Sequence, residues 1–257
     1  MAAAVGPLRP VDELTMGRLR QHANAMTLAE HLTEARRRFL MCVGAVAVLA
    51  TAAFALYPHL LSILQAPYCH ASPGHCQFLV TNPLDGLTLR FKLSLYSGLL
   101  ASFPVFLWQL WRFVTPGLKS SERKYALPFI AASLIFFAGG VVVAYISFNH
   151  ALSWLEQIGG RQLITDYNPN QYMTLFVLMM FVFGLMFEFP VLLVALQLGR
   201  VVTPRQLLAR WRYAIIVITI VAAAITPSSD PFSMLALAIP LTVFYFLAIG
   251  VGKLCRR

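Results

Sequence analysis

A single carboxyl group, that of Glu188, interrupts an otherwise apolar stretch of the chain, residues 181–193. An ionisable side chain near the middle of a membrane costs about 2.5 kcal/mol or more, and such groups usually face a bundle interior or a water-filled cavity. We therefore favour a functional role for Glu188 at a cavity within a membrane. The alternative is a protonated carboxyl group that hydrogen-bonds to a neighbouring helix.

Glu34 lies in a strongly basic segment, HLTEARRR at residues 31–38, directly before the first long apolar run. A carboxylate there could receive a cationic ligand, because carboxylates bind guanidinium groups in a fork-like geometry. On a helix, Glu34 would also stand one turn from Arg37 and Arg38. The alternative is therefore a local ion pair with either arginine, worth about 0.3–0.5 kcal/mol.

Glu122 is the second acid in a basic turn, PGLKSSERK at residues 116–124. It could share a cationic ligand with Glu34 if the two turns pack together. The alternative is again local, because Ser120 or Ser121 could cap the following helix and an acid in the first turn stabilises a helix N-terminus.

Two further acids lie where helices are expected to begin. Asp230 stands between Pro227 and Pro231, and we predict that it is the N-cap of the last span. Asp85 follows the segment Thr81-Asn82-Pro83, and we predict that it caps the segment leading into the second span. Both acids therefore have structural explanations.

The sequence lacks the common signatures of enzymes. It contains no HExxH, GxSxG or Walker A motif, no GxGxxG in a strand context and no intramembrane pair of aspartates. We therefore expect neither an enzyme nor a bound cofactor or metal ion.

The elements that must position these acids are membrane helices. The chain of 257 residues is 59% hydrophobic and only 12% charged, with a mean hydropathy of +0.71, whereas soluble domains are about 25% charged. Its net charge of +10 is spread over short clusters between long apolar runs. This pattern argues against nucleic-acid binding and is typical of the loops of membrane proteins.

The apolar runs predict an all-α membrane protein with six transmembrane helices, at about residues 39–57, 93–114, 127–148, 172–198, 211–226 and 232–251. Of the 20 Lys and Arg residues, all but Arg90, Lys92 and Arg161 fall on one side of this topology. The positive-inside rule makes that side cytoplasmic, so we expect both termini there.

The domain organisation is expected to be simple. Residues 1–25 are polar and irregular, which indicates a disordered cytoplasmic extension before one six-helix domain at residues 26–257. Pro104, Pro190 and Pro240 lie inside predicted spans. Kinks at these prolines would give a bent, concave bundle, although proline is also better tolerated in membrane helices than in soluble ones.

Four motifs, in this order along the chain, resemble those of the TatC family of twin-arginine protein translocases. They are HLTEARRR at 31–38, WQLWRFVTPGLKSSERKYALP at 108–128, FEFPV at 187–191 and TPSSDPFSMLALAIPL at 226–241. The resemblance runs from about Met26 to Lys253. It implies a curved, cupped bundle of six helices in the bacterial plasma (inner) membrane.

The resemblance also implies a function and a set of partners. TatC-family proteins recognise the twin-arginine signal peptides of folded cargo at the cytoplasmic surface. They then work with TatA- and TatB-type single-span subunits, driven by the proton-motive force. We accordingly expect self-association in a larger complex, contact with membrane lipid and no binding of nucleic acid.

The same resemblance implies roles for residues at the cytoplasmic surface. In the family, the acids matching Glu34 and Glu122 receive the two arginines of the signal peptide. Neighbours matching Arg36, Arg38 and Phe113 support that site.

Other positions matched by the resemblance lie in the membrane or outside it. The acid matching Glu188 lies in the concave membrane face, and Pro104 and Tyr145 fall on family positions of interest. Asn82 stands where many members carry an acid, so this chain lacks a charge at that position.

The main alternative is a proton-coupled secondary transporter of a small solute, with Glu188 as its proton or ion site. Such transporters are commonly built from inverted repeats, and no repeat is visible in this sequence. An intramembrane protease is a weaker alternative, because the sequence shows no nucleophile for it.

Cys69 and Cys76 lie in the first external loop, in the segment PYCHASPGHCQ. The predicted orientation places this loop in an oxidising compartment, where disulfides persist, and Pro73-Gly74 could provide the turn that joins the two cysteines. We therefore favour a disulfide. A pair of free thiols, or a zinc site that adds His70 and His75, are the alternatives.

Overall fold

In the computed structural model of the chain, the described residues are 28–71, 78, 82–114, 126–159, 168–226 and 230–255. These residues form ten helices and no strand. In chain order the helices are α1 (Leu28–Ala55), α2 (Tyr57–Ala71), α3 (Asp85–Ala101), α4 (Phe103–Val114), α5 (Ala126–Gly159), α6 (Pro169–Met186), α7 (Phe189–Leu198), α8 (Pro204–Ala209), α9 (Trp211–Ile225) and α10 (Pro231–Cys255). The predicted extension, residues 1–25, lies outside the described part.

Each of the six predicted spans is helical. Four are long apolar segments, formed by α1, α5, α10 and the pair α6–α7. The second span is the pair α3–α4, whose axes differ by 42° across a break at Ser102. The fifth span, α9, is a shorter apolar helix of 15 residues. Helix α2 was not predicted, because it lies in the segment expected to be an external loop.

Two of the three prolines inside predicted spans lie at helix starts. Pro104 is the second residue of α4, after the break at Ser102, and Pro190 is the second residue of α7. Proline is tolerated in a first helical turn because the N–H group that it lacks would have no intrahelical partner there. Pro240 differs, since α10 continues through it from Pro231 to Cys255. Helix breaks therefore accompany two of the three prolines.

Helix α1 packs antiparallel against α3 and α4. Near the middle of this contact, Gly98 lies so close to α1 that a Cβ atom on it would stand 2.6 Å from the Cα atom of Ala50. Small residues permit such close backbone approach between membrane helices. Farther along, Arg90 donates to the Phe54 carbonyl oxygen at 3.1 Å, and its guanidinium carbon lies 4.1 Å from the centroid of the Phe54 ring. Arg90 therefore fastens α3 to the end of α1.

The main core lies where α5 and α6 meet. Phe148 of α5 stacks on Phe176 of α6, with ring centroids 4.2 Å apart. A Cβ atom on Gly140 would lie 2.8 Å from the Cα atom of Gly184, so these two helices also approach closely. The Tyr172 hydroxyl group donates to a carbonyl oxygen of α2 at 3.2 Å, which fastens α2 over the core.

Helix α9 lies at the edge of the bundle, packed against α10. Its apolar side chains include the exposed Ile216 and Ile220. At 1.5 Å per residue, its 15 residues cover about 22 Å, which is less than the roughly 30 Å of a typical hydrocarbon core. A span this short thins the surrounding bilayer or associates with another protein.

The close approach at Gly98 gives a direct test of the α1–α3 packing. We expect Gly98→Ala to lower the melting temperature of the purified protein, because the new methyl group would push the two backbones apart at a cost of about 1–3 kcal/mol. Gly44→Ala is the matched control: it lies in α1 with open space around its Cα atom, and alanine stabilises a helix by about 0.5–1 kcal/mol over glycine. Equal melting temperatures for the two variants would contradict the packing.

Candidate functional site

Arg38 connects the start of α1 to the end of α4. Its Nε atom donates to Glu34 Oε1 at 3.2 Å, and its Nη2 atom contacts the same oxygen. Its Nη1 atom donates to the backbone carbonyl oxygen of Gln109 at 3.2 Å. Only 13% of the Arg38 side chain and 26% of the Glu34 side chain are exposed. The local ion pair considered for Glu34 is therefore present, and it belongs to a contact between two spans.

Gln109 makes a second contact in the same place. Its Nε2 atom donates to the sulfur atom of Met41 at 3.4 Å, and two residues later the ring of Trp111 lies 5.2 Å from that of Phe129 on α5. Helices α1, α4 and α5 therefore meet at one end of the bundle. We call it the basic end: it comprises the N-termini of α1, α5 and α9 and the C-termini of α4, α7 and α10.

The other residues predicted for this site are only partly described. Arg36 is exposed on α1. Phe113 belongs to the last turn of α4, but its side chain lies outside the described residues, as does all of Glu122. The approach of Glu34 to Glu122 therefore stays a prediction. What the structure does provide is a contact between α1 and α4, the described helix that precedes Glu122 in the sequence.

Glu188 lies at the junction of α6 and α7 rather than inside a regular helix. It is the N-cap residue of α7, but its side chain makes no capping hydrogen bond. Its Oε1 atom is buried and accepts no hydrogen bond within the described part of the chain. Ser133 of α5, which is itself buried, is the polar side chain beside the Glu188 carboxyl group. The break in the span thus brings a carboxyl group and a hydroxyl group together among apolar helices.

Two residues outside the basic end have structural partners. Asp230 is 1% exposed and accepts a hydrogen bond from the Ser233 N–H group at 2.7 Å, as predicted for the N-cap of the last span. The Tyr145 hydroxyl group donates to the Ile63 carbonyl oxygen at 3.0 Å, which joins α5 to α2.

Asp85 joins two helix starts at the end of the bundle opposite the basic end. Its carboxylate accepts from the backbone N–H group of Asn82 at 3.1 Å, so it holds the turn before α3. It also accepts from Asn170 Nδ2, near the start of α6, at 3.3 Å. The Asn82 residue itself is exposed, and its backbone rather than its side chain makes this contact.

The predicted disulfide cannot be placed within the described residues. Cys69 lies in the last turn of α2 and is partly buried, whereas Cys76 and the side chain of His70 fall outside the described part. Across the residues that are described, no group of three or more His, Cys, Asp or Glu side chains is arranged to hold a metal ion.

Comparison with known proteins identifies the family. A family model described as Sec-independent protein translocase protein (TatC) matches residues 30–240. The chain belongs to the TatC family. The TatC protein of Frankia casuarinae is 37% identical over 243 residues, with coverage of 90% of this chain and 67% of that protein. The TatC protein of Deinococcus radiodurans is 33% identical over 233 residues, with coverage of 89% and 86%.

A solved structure supports the same assignment. A crystal structure of the twin arginine translocase receptor TatC matches with a TM-score of 0.73 and 32% sequence identity, covering 89% of this chain and all of that one. The six-span helical bundle described above agrees with the TatC fold. The chain is therefore a subunit of a twin-arginine protein translocase rather than an enzyme, and the matches do not support the transporter alternative.

Several contacts in this TatC chain escaped the sequence analysis because they involve neutral amides. Gln109 reaches Met41, Asn170 reaches the start of α3, and Gln197 Nε2 donates to the Ala248 carbonyl oxygen at 3.1 Å, which joins α7 to α10. A buried amide needs hydrogen-bond partners. For Gln109 and Gln197, an amide inside a predicted span was therefore a usable signal for a contact between helices, although the sequence does not name the partner.

The contact from Arg38 to Gln109 can be tested with a neighbouring arginine as control. We expect Arg38→Gln to accelerate amide hydrogen exchange in the first half of α1 by about fivefold, because a hydrogen bond of this kind contributes about 1 kcal/mol. Arg37→Gln should leave the exchange unchanged, since Arg37 is exposed. The same protection in both variants would show that Arg38 does not hold α1 against α4.

Proposed function

We propose that the basic end of this protein binds the twin-arginine signal peptides of folded cargo. Glu34 and Glu122 receive the two guanidinium groups, and Arg36, Arg38 and Phe113 support the site. The observation that carries the proposal is the contact of Arg38 with both Glu34 and Gln109, because it joins the α1 acid to the helix that leads into the Glu122 turn. The family assignment and the likeness to the twin arginine translocase receptor TatC support it.

The electrostatics of this end suit a ligand with two guanidinium groups. Glu34 already interacts with Arg38, and the exposed Arg36 and Arg37 lie on the same turn of α1. A ligand that carries a single positive charge therefore gains little binding free energy here. A ligand gains more if it presents two planar guanidinium groups, each able to make paired hydrogen bonds to a carboxylate.

The location and partners follow from the same proposal. The protein lies in the bacterial plasma membrane with both termini in the cytoplasm, since nearly all of its basic residues fall on that side of the predicted topology. TatA- and TatB-type single-span subunits and further copies of this chain complete the complex. The exposed apolar surface of α9, together with its short length, supports a partner at that edge.

Glu188 acts at a later step of the same process. Its carboxyl group lies at a helix break beside Ser133, where a polar group of cargo, partner or water could reach it. The residue contributes to transport after the signal peptide is bound. We also propose that Cys69 and Cys76 form the disulfide predicted above, because the proposed orientation places both in an oxidising compartment.

The signal-peptide site is tested by removing its acids one at a time and together. We expect Glu34→Gln and Glu122→Gln each to weaken binding of a twin-arginine peptide by about tenfold or more, because each removes a charge-assisted hydrogen bond. Binding is measured by fluorescence anisotropy with the full chain in lipid nanodiscs. Glu156→Gln, near the other end of α5, is the matched control and should bind normally.

Peptide specificity provides the second half of that experiment. A peptide with two lysines should compete poorly, since ammonium groups cannot make the paired contacts of guanidinium groups. The proposal is wrong if the double variant Glu34→Gln, Glu122→Gln binds the twin-arginine peptide with wild-type affinity.

The proposed role of Glu188 predicts a separation of binding from transport. Glu188→Leu and Glu188→Gln should both bind the twin-arginine peptide like the wild type, because Glu188 lies before the start of α7, about 15 Å along that helix from the basic end. Transport of a folded reporter into inverted membrane vesicles should be strongly reduced in both. Normal transport by Glu188→Leu would assign the carboxyl group a structural role only.

A further inference from the structure

Helix α2 continues past a proline that cannot make the backbone hydrogen bond of its position. Pro67 is the eleventh of the 15 residues of α2, and the helix extends beyond it to Ala71. In a regular α-helix, the N–H group of residue 67 would donate to the carbonyl oxygen of residue 63. Proline has no N–H group, so the carbonyl oxygen of Ile63 needs a donor from outside α2.

The missing donor comes from α5. The Tyr145 hydroxyl group donates to the Ile63 carbonyl oxygen at 3.0 Å. Tyr145 is half-buried, and its ring centroid lies 5.6 Å from that of Phe176 on α6, so the hydroxyl group extends from a packed ring. In membrane proteins, neighbouring helices commonly satisfy the backbone groups that a proline leaves free. The carbonyl oxygen that needs a donor and the side chain that supplies one therefore meet across two helices.

A second hydroxyl group reaches the next carbonyl oxygen of α2. Tyr172 of α6 donates to the Leu64 carbonyl oxygen at 3.2 Å. The turn of α2 directly before Pro67 is therefore held from two sides, by α5 and by α6. The two bonds differ, because a regular helix offers the Leu64 carbonyl oxygen the N–H group of Tyr68 as well. The Ile63 carbonyl oxygen has no such second donor at residue 67, and so it depends on its tyrosine.

The residue after Pro67 shows what this turn positions. The Tyr68 side chain is buried. Its ring stacks on that of Phe78, with centroids 5.0 Å apart, and lies 5.8 Å from the ring of Tyr172. A proline inside a helix changes the direction of the segment that follows it. The direction in which α2 leaves Pro67 therefore decides whether Tyr68 reaches this aromatic cluster.

The start of α2 is held by a different helix. The guanidinium carbon of Arg90 on α3 lies 5.4 Å from the centroid of the Tyr57 ring, a geometry in which the cation and the ring attract each other. This contact does not involve the turn before Pro67. The course of the second half of α2, across the end of the bundle opposite the basic end, thus depends on the bonds from α5 and α6.

We propose that Tyr145 is a positioning residue for transport. Its hydroxyl group replaces the N–H group that Pro67 lacks, and it thereby holds α2 across the end of the bundle opposite the basic end. Tyr145 and Pro67 act as a pair, because the hydroxyl group is required only while residue 67 has no N–H group. The acids of the proposed signal-peptide site take no part in this pairing, so the pairing and peptide binding are tested independently.

The pairing is tested by a cycle of four full-length proteins: the wild type, Tyr145→Phe, Pro67→Ala and the double variant. We expect Tyr145→Phe alone to accelerate amide hydrogen exchange at residues 68–71 of α2 by about fivefold, the effect of one lost hydrogen bond. It should slow transport of a folded reporter into inverted membrane vesicles by a similar factor, without changing twin-arginine peptide binding. In the Pro67→Ala background, Tyr145→Phe should alter exchange and transport by less than about twofold, because residue 67 then supplies an N–H group.

Tyr245→Phe is the matched control, since the hydroxyl group of this buried tyrosine donates to the Leu207 carbonyl oxygen at 2.7 Å, between α10 and α8. Its effect on the melting temperature should be the same with and without Pro67→Ala, whereas that of Tyr145→Phe should shrink in the Pro67→Ala background. Because each effect is a difference within one background, any loss of stability from Pro67→Ala itself cancels. The proposal is overturned if Tyr145→Phe has the same effect in both backgrounds, or if it leaves exchange and transport at wild-type values.

Discussion

The contact of Arg38 with both Glu34 and the Gln109 carbonyl oxygen is the interaction on which the arrangement of the basic end depends. It sets the start of α1 against the end of α4 at the basic end of the bundle. Farther along the same pair of spans, Gly98 allows the backbones to meet at Ala50. Together these contacts fix the register of α1, and so they determine where its acid stands relative to the end of α4.

The rest of the fold reflects the rule that a chain in lipid must satisfy its backbone polar groups internally. The long spans do this by continuous helix. Where a span is interrupted, at Ser102 and at Glu188, the next segment begins at once with proline in its first turn, which leaves few backbone groups without partners. The second break also carries the Glu188 carboxyl group, for which the sequence predicts a functional role. The irregular backbone there gives a polar side chain room among apolar helices.

Much of this was predictable from the sequence, because hydropathy and charge placement act locally. The apolar runs gave all six spans, and Asp230 was correctly predicted as a helix cap. The breaks were less predictable, since Pro240 lies in an unbroken helix while Pro104 and Pro190 do not. The connection from Arg38 to Gln109 was not predictable, because it depends on how two spans pack rather than on the spacing within either one.

The most direct test of the central claim is photo-crosslinking from positions 34 and 122 of the full chain in native membranes. Each position in turn carries a photoreactive residue, and a labelled twin-arginine peptide is offered with an excess of unlabelled competitor. We expect capture of the peptide from both positions, strong competition by a twin-arginine peptide and weak competition by its twin-lysine counterpart. Capture from only one position, or equal competition by the two peptides, would contradict the proposed site.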